Sequence, residues 1–330
     1  MKYFSDKLKQ KLYPIFSSYL KTAKHNGFSS EKNILITGTA RSGTTWLAEM
    51  LSNARHTAVL YEPLHIRRHK DLKNYNMGWT TPIPPGTDDE LRKQLFHDLL
   101  NGRRITPYNL RNNSLSCLVR PKRWIIKFVR ANLLIHWLTE QFDIPTPIYI
   151  IRHPCAVVAS QMKRRLAHQT ITPDKAKFEW LHDKPYYIRY FLKKHPEFVS
   201  LAQKINTWEE ILAFHWGVSN YSLIDYQYKK SLFLVSYEDL VEHTVPIVSK
   251  LKAHYGLQAQ QGHAITTQAS STAMDKQIDR SQQLGKWEEE LSAKQIERIL
   301  NVVKRLQIPF YSENVMPDTS LLNRQSLLSL

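Results

Sequence analysis

Residues 33–51, NILITGTARSGTTWLAEML, decide how the chain is read. Ile34-Leu35-Ile36-Thr37 is a short apolar run rich in β-branched side chains, the pattern of a buried strand. A turn with Gly38 and Gly43 follows. Trp46, Leu47, Met50 and Leu51 then recur at helical spacing, as in a helix packed on a sheet. Strand, glycine loop and helix make a phosphate cradle. Glycine lets the backbone approach an anion, and the N–H groups at the helix start point at it.

Working outward, Gly38 and Gly43 have the spacing of a nucleotide-triphosphatase loop, but Thr44 and Thr45 follow where that loop carries Lys. The cation sits earlier, at Arg41. A small-molecule kinase would need the missing Lys and a Mg²⁺ site, so the pattern argues against one. A second apolar run, Ile148-Tyr149-Ile150-Ile151, reads as another buried parallel strand. Arg152-His153-Pro154 breaks it, and a helix follows through Ala156, Val157 and Ser160. Arg offers a bidentate fork suited to phosphate, and Ser adds a hydroxyl donor. His153, between Arg and Pro, reads as structural. A third stretch, His56 to Ile66, ends its apolar run at Tyr61-Glu62-Pro63-Leu64. A carboxylate just past a strand end is placed where α/β proteins put chemistry.

These motifs together resemble the sulfotransferases. Arg-Ser-Gly-Thr-Thr-Trp at 41–46 is similar to the loop with which that family binds the 5′ end of 3′-phosphoadenosine 5′-phosphosulfate (PAPS). The Glu-Pro-Leu at 62–64 is similar to a feature of the carbohydrate-type members. The resemblance covers roughly residues 33–310. It implies that Arg41, Ser42, Gly43, Thr44 and Thr45 hold the 5′-phosphosulfate and that Trp46 flanks the adenine. It implies a 3′-phosphate site at Arg152 and Ser160, and a nucleotide contact at Tyr237 in Ser236-Tyr237-Glu238-Asp239. It implies Glu62 as the base that takes the acceptor proton, with Arg41 stabilising the transferring group. His65 is the next candidate base. Lys127 matches a Lys that family members carry near the transferring group, against the alternative of a solvated side chain. Asp239 reads as a cap. Arg280-Ser-Gln-Gln-Leu-Gly-Lys-Trp287 keeps the Arg, the second Gly and the Trp of the family's loop over the 3′-phosphate, but not its first Gly. The implied reaction moves a sulfonate from PAPS to a hydroxyl of a glycan, lipid or small molecule, with no metal.

Composition fits this. The 330 residues are 42% hydrophobic and 23% charged, as in a globular protein, with a formal net charge of +17. That field favours anionic partners such as nucleotides, acidic sugars or anionic membranes. A non-catalytic nucleic-acid binder would use the same charge, but would not need an ordered nucleotide pocket, so none is expected as partner. The two cysteines form no disulfide framework, which points to a reducing, cytoplasmic setting. Neither a transmembrane run nor a secretory leader is expected.

The expected architecture is one α/β domain, a mostly parallel sheet flanked by helices in a P-loop-like fold, over residues 33–315. Strands are expected near 34–37, 57–61, 124–127, 148–151 and 232–235. Residues 1–32 read as a basic amphipathic helix, kinked or split at Pro14, that packs on the domain or lies on an anionic membrane. Residues 67–115 read as a variable lid touching the acceptor, with a helix from about Asp88 to Gly102. Residues 161–200 are basic and aromatic, more in keeping with a half-buried helical segment than an acceptor surface. Helices are expected over Trp208–Tyr226 and, capped by Ser292, Ala293–Leu306. Residues 316–330 read as a loosely ordered tail.

Overall fold

The computed structural model describes residues 6–22, 27–166, 187–224, 232–258, 284–318 and 320–321. A five-stranded sheet of order β2-β3-β1-β4-β5 lies at the centre. Its strands are β1 (Ile34–Gly38), β2 (Thr57–Tyr61), β3 (Arg123–Phe128), β4 (Ile148–Ile151) and β5 (Phe233–Ser236). All pairings are parallel, with Tyr61 opposite Lys127 and Gly38 opposite Ile150. The expected strands therefore form, each displaced by at most a residue or so.

Because every strand runs the same way, all C-terminal ends share one edge of the sheet. The chain leaves β1 toward β2 and β3, then crosses to β4 and β5 on the other side. That reversal puts the crevice of a doubly wound sheet beside the end of β1.

Alternation along the strands divides the core. Ile34, Ile36, Ile148, Ile150, Phe233 and Val235 pack with Trp46, Leu47 and Leu51 of helix α2 (Thr44–Ser52). Leu35, Trp124, Ile126, Tyr149, Ile151 and Leu234 face the opposite layer, with Trp137, Phe214 and Trp216. Successive strand residues point to opposite faces, so helices on both sides require runs that are apolar throughout. Burying side chains of this size contributes roughly 1.5–3 kcal/mol each.

The edge strand β2 is finished by side-chain amides. The Asn113 side chain accepts from the Val59 N–H and donates to the Val59 carbonyl, both at 2.8 Å. Asn109 donates to the Tyr61 carbonyl at 2.9 Å. These amides occupy groups that would otherwise invite another strand.

Helix α1 (Asp6–Thr22) runs through Pro14 as one element, so the helix is not split there. Proline removes one intrahelical bond. Tyr13, Ser17 and Leu20 are buried on either side of it, and the Tyr13 hydroxyl donates to the Asn113 carbonyl at 3.2 Å, so packing holds the segment helical. The helix after β3 begins at Ile135. The helix from Trp208 ends at Asn220, and residues 225 and 226 lie outside the described residues. Ser292 caps Ala293–Arg305 as expected. At the end of β5 the N-cap is Ser236, not Asp239, whose carboxylate instead accepts from the Ser236 hydroxyl at 2.6 Å.

Candidate active site

The loop after β1 is a tight turn. The Ser42 hydroxyl and N–H both reach the Thr39 carbonyl, at 2.6 and 3.1 Å. Gly43, the N-cap of α2, has φ 95°. A Cβ there would lie 2.5 Å from the Tyr237 ring, so glycine is required both by backbone conformation and by space. Thr44, Thr45 and Trp46 open the helix and are all buried. Trp46 meets the Tyr237 ring edge-on at 5.8 Å.

The end of β4 is joined to this loop. Arg41 Nε donates to Ser160 Oγ at 2.8 Å, and Arg152 Nη1 donates to the Arg41 carbonyl at 3.1 Å. The Arg152 guanidinium stacks on Tyr237, 4.1 Å from its ring centre. Arg152 Nε and Thr39 Oγ1 are buried without a hydrogen-bond partner. A buried donor left unmade is costly, which fits a place for an anion. The fold thus brings Arg41, Ser42, Gly43, Thr44, Thr45, Trp46, Arg152, Ser160 and Tyr237 to one locus. Arg280 lies outside the described residues.

Beneath Arg152 is a buried support that the sequence did not reveal. Glu238 accepts from the His153 N–H at 2.9 Å and from the Tyr311 hydroxyl at 2.8 Å. His153 stacks on Trp287 at 4.5 Å, and Trp216 donates to the Arg152 carbonyl at 3.0 Å. Burial pushes the Glu238 carboxyl up to about 7, opposed by the His153 N–H and the Arg152 charge. Burial pushes the His153 imidazole down to about 4.

Their effects on stability have opposite signs. From about 4.5 to 7 the folded chain holds a Glu238 proton that the unfolded chain releases, so stability falls as pH rises. From about 4 to 6.5 the unfolded chain holds a His153 proton that the folded one lacks, so stability rises with pH. His65 and His69, also lowered by burial, act in the same direction as His153. Glu238→Gln keeps one oxygen to accept from the His153 N–H, offers the Tyr311 hydroxyl an amide N–H in place of the second oxygen, and removes the opposing titration. Its Tm should climb more steeply with pH than the wild type's across the range where the histidines titrate. Parallel Tm curves for the two proteins would show that Glu238 carries no proton there.

Across the loop, the Thr45 hydroxyl meets the Tyr61 hydroxyl at 3.1 Å. This joins the locus after β1 and β4 to the ends of β2 and β3. Glu62 follows Tyr61 with φ 49°, a left-handed conformation that is uncommon outside glycine and recurs at functional sites. Its N–H still bonds the Lys127 carbonyl at 3.0 Å. Glu62 Oε1 accepts from Lys127 Nζ at 2.5 Å, and Oε2 accepts from Arg130 Nη1 at 3.0 Å. All three are well buried, with side-chain exposures of 5%, 4% and 12% for Glu62, Lys127 and Arg130. Lys127 is therefore a buried partner of Glu62 and not a solvated side chain. Its Nζ also lies 4.2 Å from the centre of the Tyr61 ring.

His65 sits beyond, its ring edge-on to Trp79 and Tyr108 at 5.4 and 5.6 Å. Burial and the Arg130 charge push it down to about 4, so it is neutral at pH 7, and its Nδ1 is buried without a partner. Arginines lie on these rings. Arg130 is 3.9 Å from the Trp79 ring centre, and Arg111 is 4.1 and 3.9 Å from those of Tyr61 and Tyr108. Arg111, Arg130 and Trp79 drew no attention in the sequence; the only signal was the density of arginine between 67 and 130.

With this geometry in place, the family model described as "Sulfotransferase domain" matches residues 31–307, most of the chain. The chain belongs to the sulfotransferase family and is a PAPS-dependent enzyme of it. Solved structures similar to it include the mouse sulfotransferase SULT7A1 complexed with PAP, at 15% identity and TM-score 0.40, covering 89% of this chain and 88% of that one. The sulfotransferase domain of the Synechococcus PCC 7002 olefin synthase is 16% identical with TM-score 0.41, covering 88% and 99%. A sulfotransferase from Alicyclobacillus acidocaldarius is 14% identical with TM-score 0.37, covering 84% and 97%. No curated protein matches the chain significantly by sequence.

Proposed function

We propose that this chain moves the sulfonate of PAPS onto a hydroxyl of its acceptor by in-line displacement. The observation that carries the reading is the buried, unpartnered Arg152 Nε beside the Arg41–Ser160 hydrogen bond. Arg152 and Ser160 would bind the 3′-phosphate. The α2 N-terminus, with Ser42, Gly43, Thr44 and Thr45, would bind the 5′-phosphosulfate, and Trp46 and Tyr237 would border the adenine. Arg280 is assigned to the 3′-phosphate on its motif alone.

When bound, PAPS supplies the sulfonate and a good leaving group, 3′,5′-adenosine bisphosphate (PAP). The acceptor oxygen forms its bond to sulfur as the bridging S–O bond breaks, and the hydroxyl proton passes to Glu62. Arg41 and the loop N–H groups would stabilise the charge that develops on the bridging oxygen, where preorganised donors contribute most. Lys127 and Arg130 hold the Glu62 carboxylate in position. The hydroxyl becomes acidic as its oxygen bonds to sulfur, which favours passage of its proton to a carboxylate.

Arg152→Ala tests the nucleotide assignment. PAP affinity should fall about ten- to a hundredfold, the usual cost of a lost charged hydrogen bond, while 5′-AMP changes little. Calorimetry with both nucleotides measures this, and equal losses would remove Arg152 from the 3′-phosphate.

We assign the enzyme to a reducing, cytoplasmic compartment, in keeping with the free thiols Cys117 and Cys155. Among the described residues no helix is long and apolar enough to cross a membrane. The exposed Ile15 and Tyr19 of the lysine-rich α1 suit peripheral contact with an anionic membrane.

A further inference from the structure

We propose that the acceptor is an acidic oligosaccharide, held along a cationic cleft that leads to Glu62, an inference that rests on the sulfotransferase reading of the site. An open cleft of about 750 Å³ begins at Ile66, just past the Glu62 turn, and passes Gly78, next to Trp79. That volume is in the range that takes a ligand larger than a single sugar ring. Its lining includes Lys73, Arg92, Arg189 and Lys193, and none of its described lining residues is acidic.

Three carboxylates of the neighbouring described segments are in ion pairs. Asp89 pairs with Arg92, Asp71 with Arg104, and Glu62 with Lys127 and Arg130. Arg92 Nε is buried without a partner. Next to Gly78 of the cleft wall, Arg67 and Arg130 lie over the Trp79 ring at 5.2 and 3.9 Å. Arg130 joins this ring to Glu62, so cationic side chains stand both on the cleft wall and beside Glu62, an arrangement that suits more than one anionic group.

The same surface exposes aromatic faces. Trp79 is 43% exposed, and Tyr190, on the cleft wall, is 38% exposed. Aromatic faces stack on the C–H faces of sugar rings. A saccharide with carboxylates at intervals supplies ring faces, charges and the hydroxyl that the reaction consumes. Low-dielectric walls with one sign of charge also raise the local concentration of such an acceptor.

The test is calorimetric binding of a hyaluronan hexasaccharide, its carboxyl-reduced neutral counterpart, and a dT6 oligonucleotide. Each is titrated into the full chain without nucleotide and with saturating PAP. The acidic hexasaccharide should bind at least tenfold more tightly than the neutral one, and its affinity should fall with added salt. The double variant Lys73→Ser/Lys193→Ser changes exposed side chains only. It should weaken the acidic hexasaccharide about tenfold and leave PAP affinity unchanged. Equal binding of the acidic and neutral sugars, no binding of either, or tighter binding of dT6 would overturn the proposal. PAP binding is read in the same experiment, so a failure of the donor site is seen separately from a failure of this inference.

Discussion

Glu62→Gln should slow turnover by roughly 10²–10⁴-fold, the usual cost of losing a general base, with PAP affinity nearly unchanged. Gln keeps the shape of the side chain but cannot take the proton. It also leaves Lys127 and Arg130 without their counter-charge. Breaking a buried pair costs about 3–5 kcal/mol, which in a chain of this size lowers Tm by on the order of 10 °C. Assays are therefore run well below the variant's melting point, with circular dichroism confirming the fold. Under those conditions a loss of hundreds-fold cannot come from unfolding. If PAP affinity falls in step with turnover, Glu62 only supports the site. If more than about a tenth of the activity survives, the base lies elsewhere. His65 is then first in line, being neutral at pH 7 with Nδ1 buried and unpartnered.

Gly43→Ala should weaken PAP by a hundredfold or more. The backbone there has φ 95°, and the added carbon would lie 2.5 Å from Tyr237 Cδ2 and 3.3 Å from Ile150 Cδ1. A left-handed residue other than glycine costs roughly 1–2 kcal/mol by itself. The contact adds to this, because Tyr237 is held between Trp46 and Arg152 and has little room to withdraw. The loop must therefore move, and its N–H groups lose their aim. Truncating Tyr237 alongside should restore only part of the affinity, since the backbone conformation stays strained. Wild-type PAP affinity in Gly43→Ala would show that these amides do not bind the nucleotide.

Strands that are apolar throughout are easy to read in a sequence, because burial on both faces leaves no polar interruptions. Ile34–Gly38 and Ile148–Ile151 are of this kind, and the loops after them followed by adjacency in sequence. The same reasoning could not find the Glu238–His153–Tyr311 support. Its parts are far apart in the chain and meet only when the C-terminal segment returns to β4. Likewise Tyr61 and Glu62 were visible as a strand end, but Arg111 and Arg130 were not. Nothing local separates an arginine that stacks on a buried ring from one that projects into water. Lys127 shows this most directly. As a lone cation at a strand end it was undecided, and only the β2–β3 register, which sets Tyr61 beside it, makes it a buried partner of Glu62.

The amide-finished edge of the sheet has a consequence for how such an enzyme can diversify. Arg41 and Arg152 follow β1 and β4, strands clasped on both sides by neighbours, where any displacement propagates through the whole sheet. Tyr61 and Glu62 end β2, which has a strand on one side and the Asn109 and Asn113 side chains on the other. An insertion in a surface loop of the segment beyond Tyr61 leaves the pairings among β3, β1, β4 and β5 untouched. On the proposed assignment, the donor half of the reaction is built into the interior of the sheet and the acceptor half into its edge. A lineage could acquire new acceptors by rewriting residues 67–115 while its use of one sulfonate donor stayed fixed.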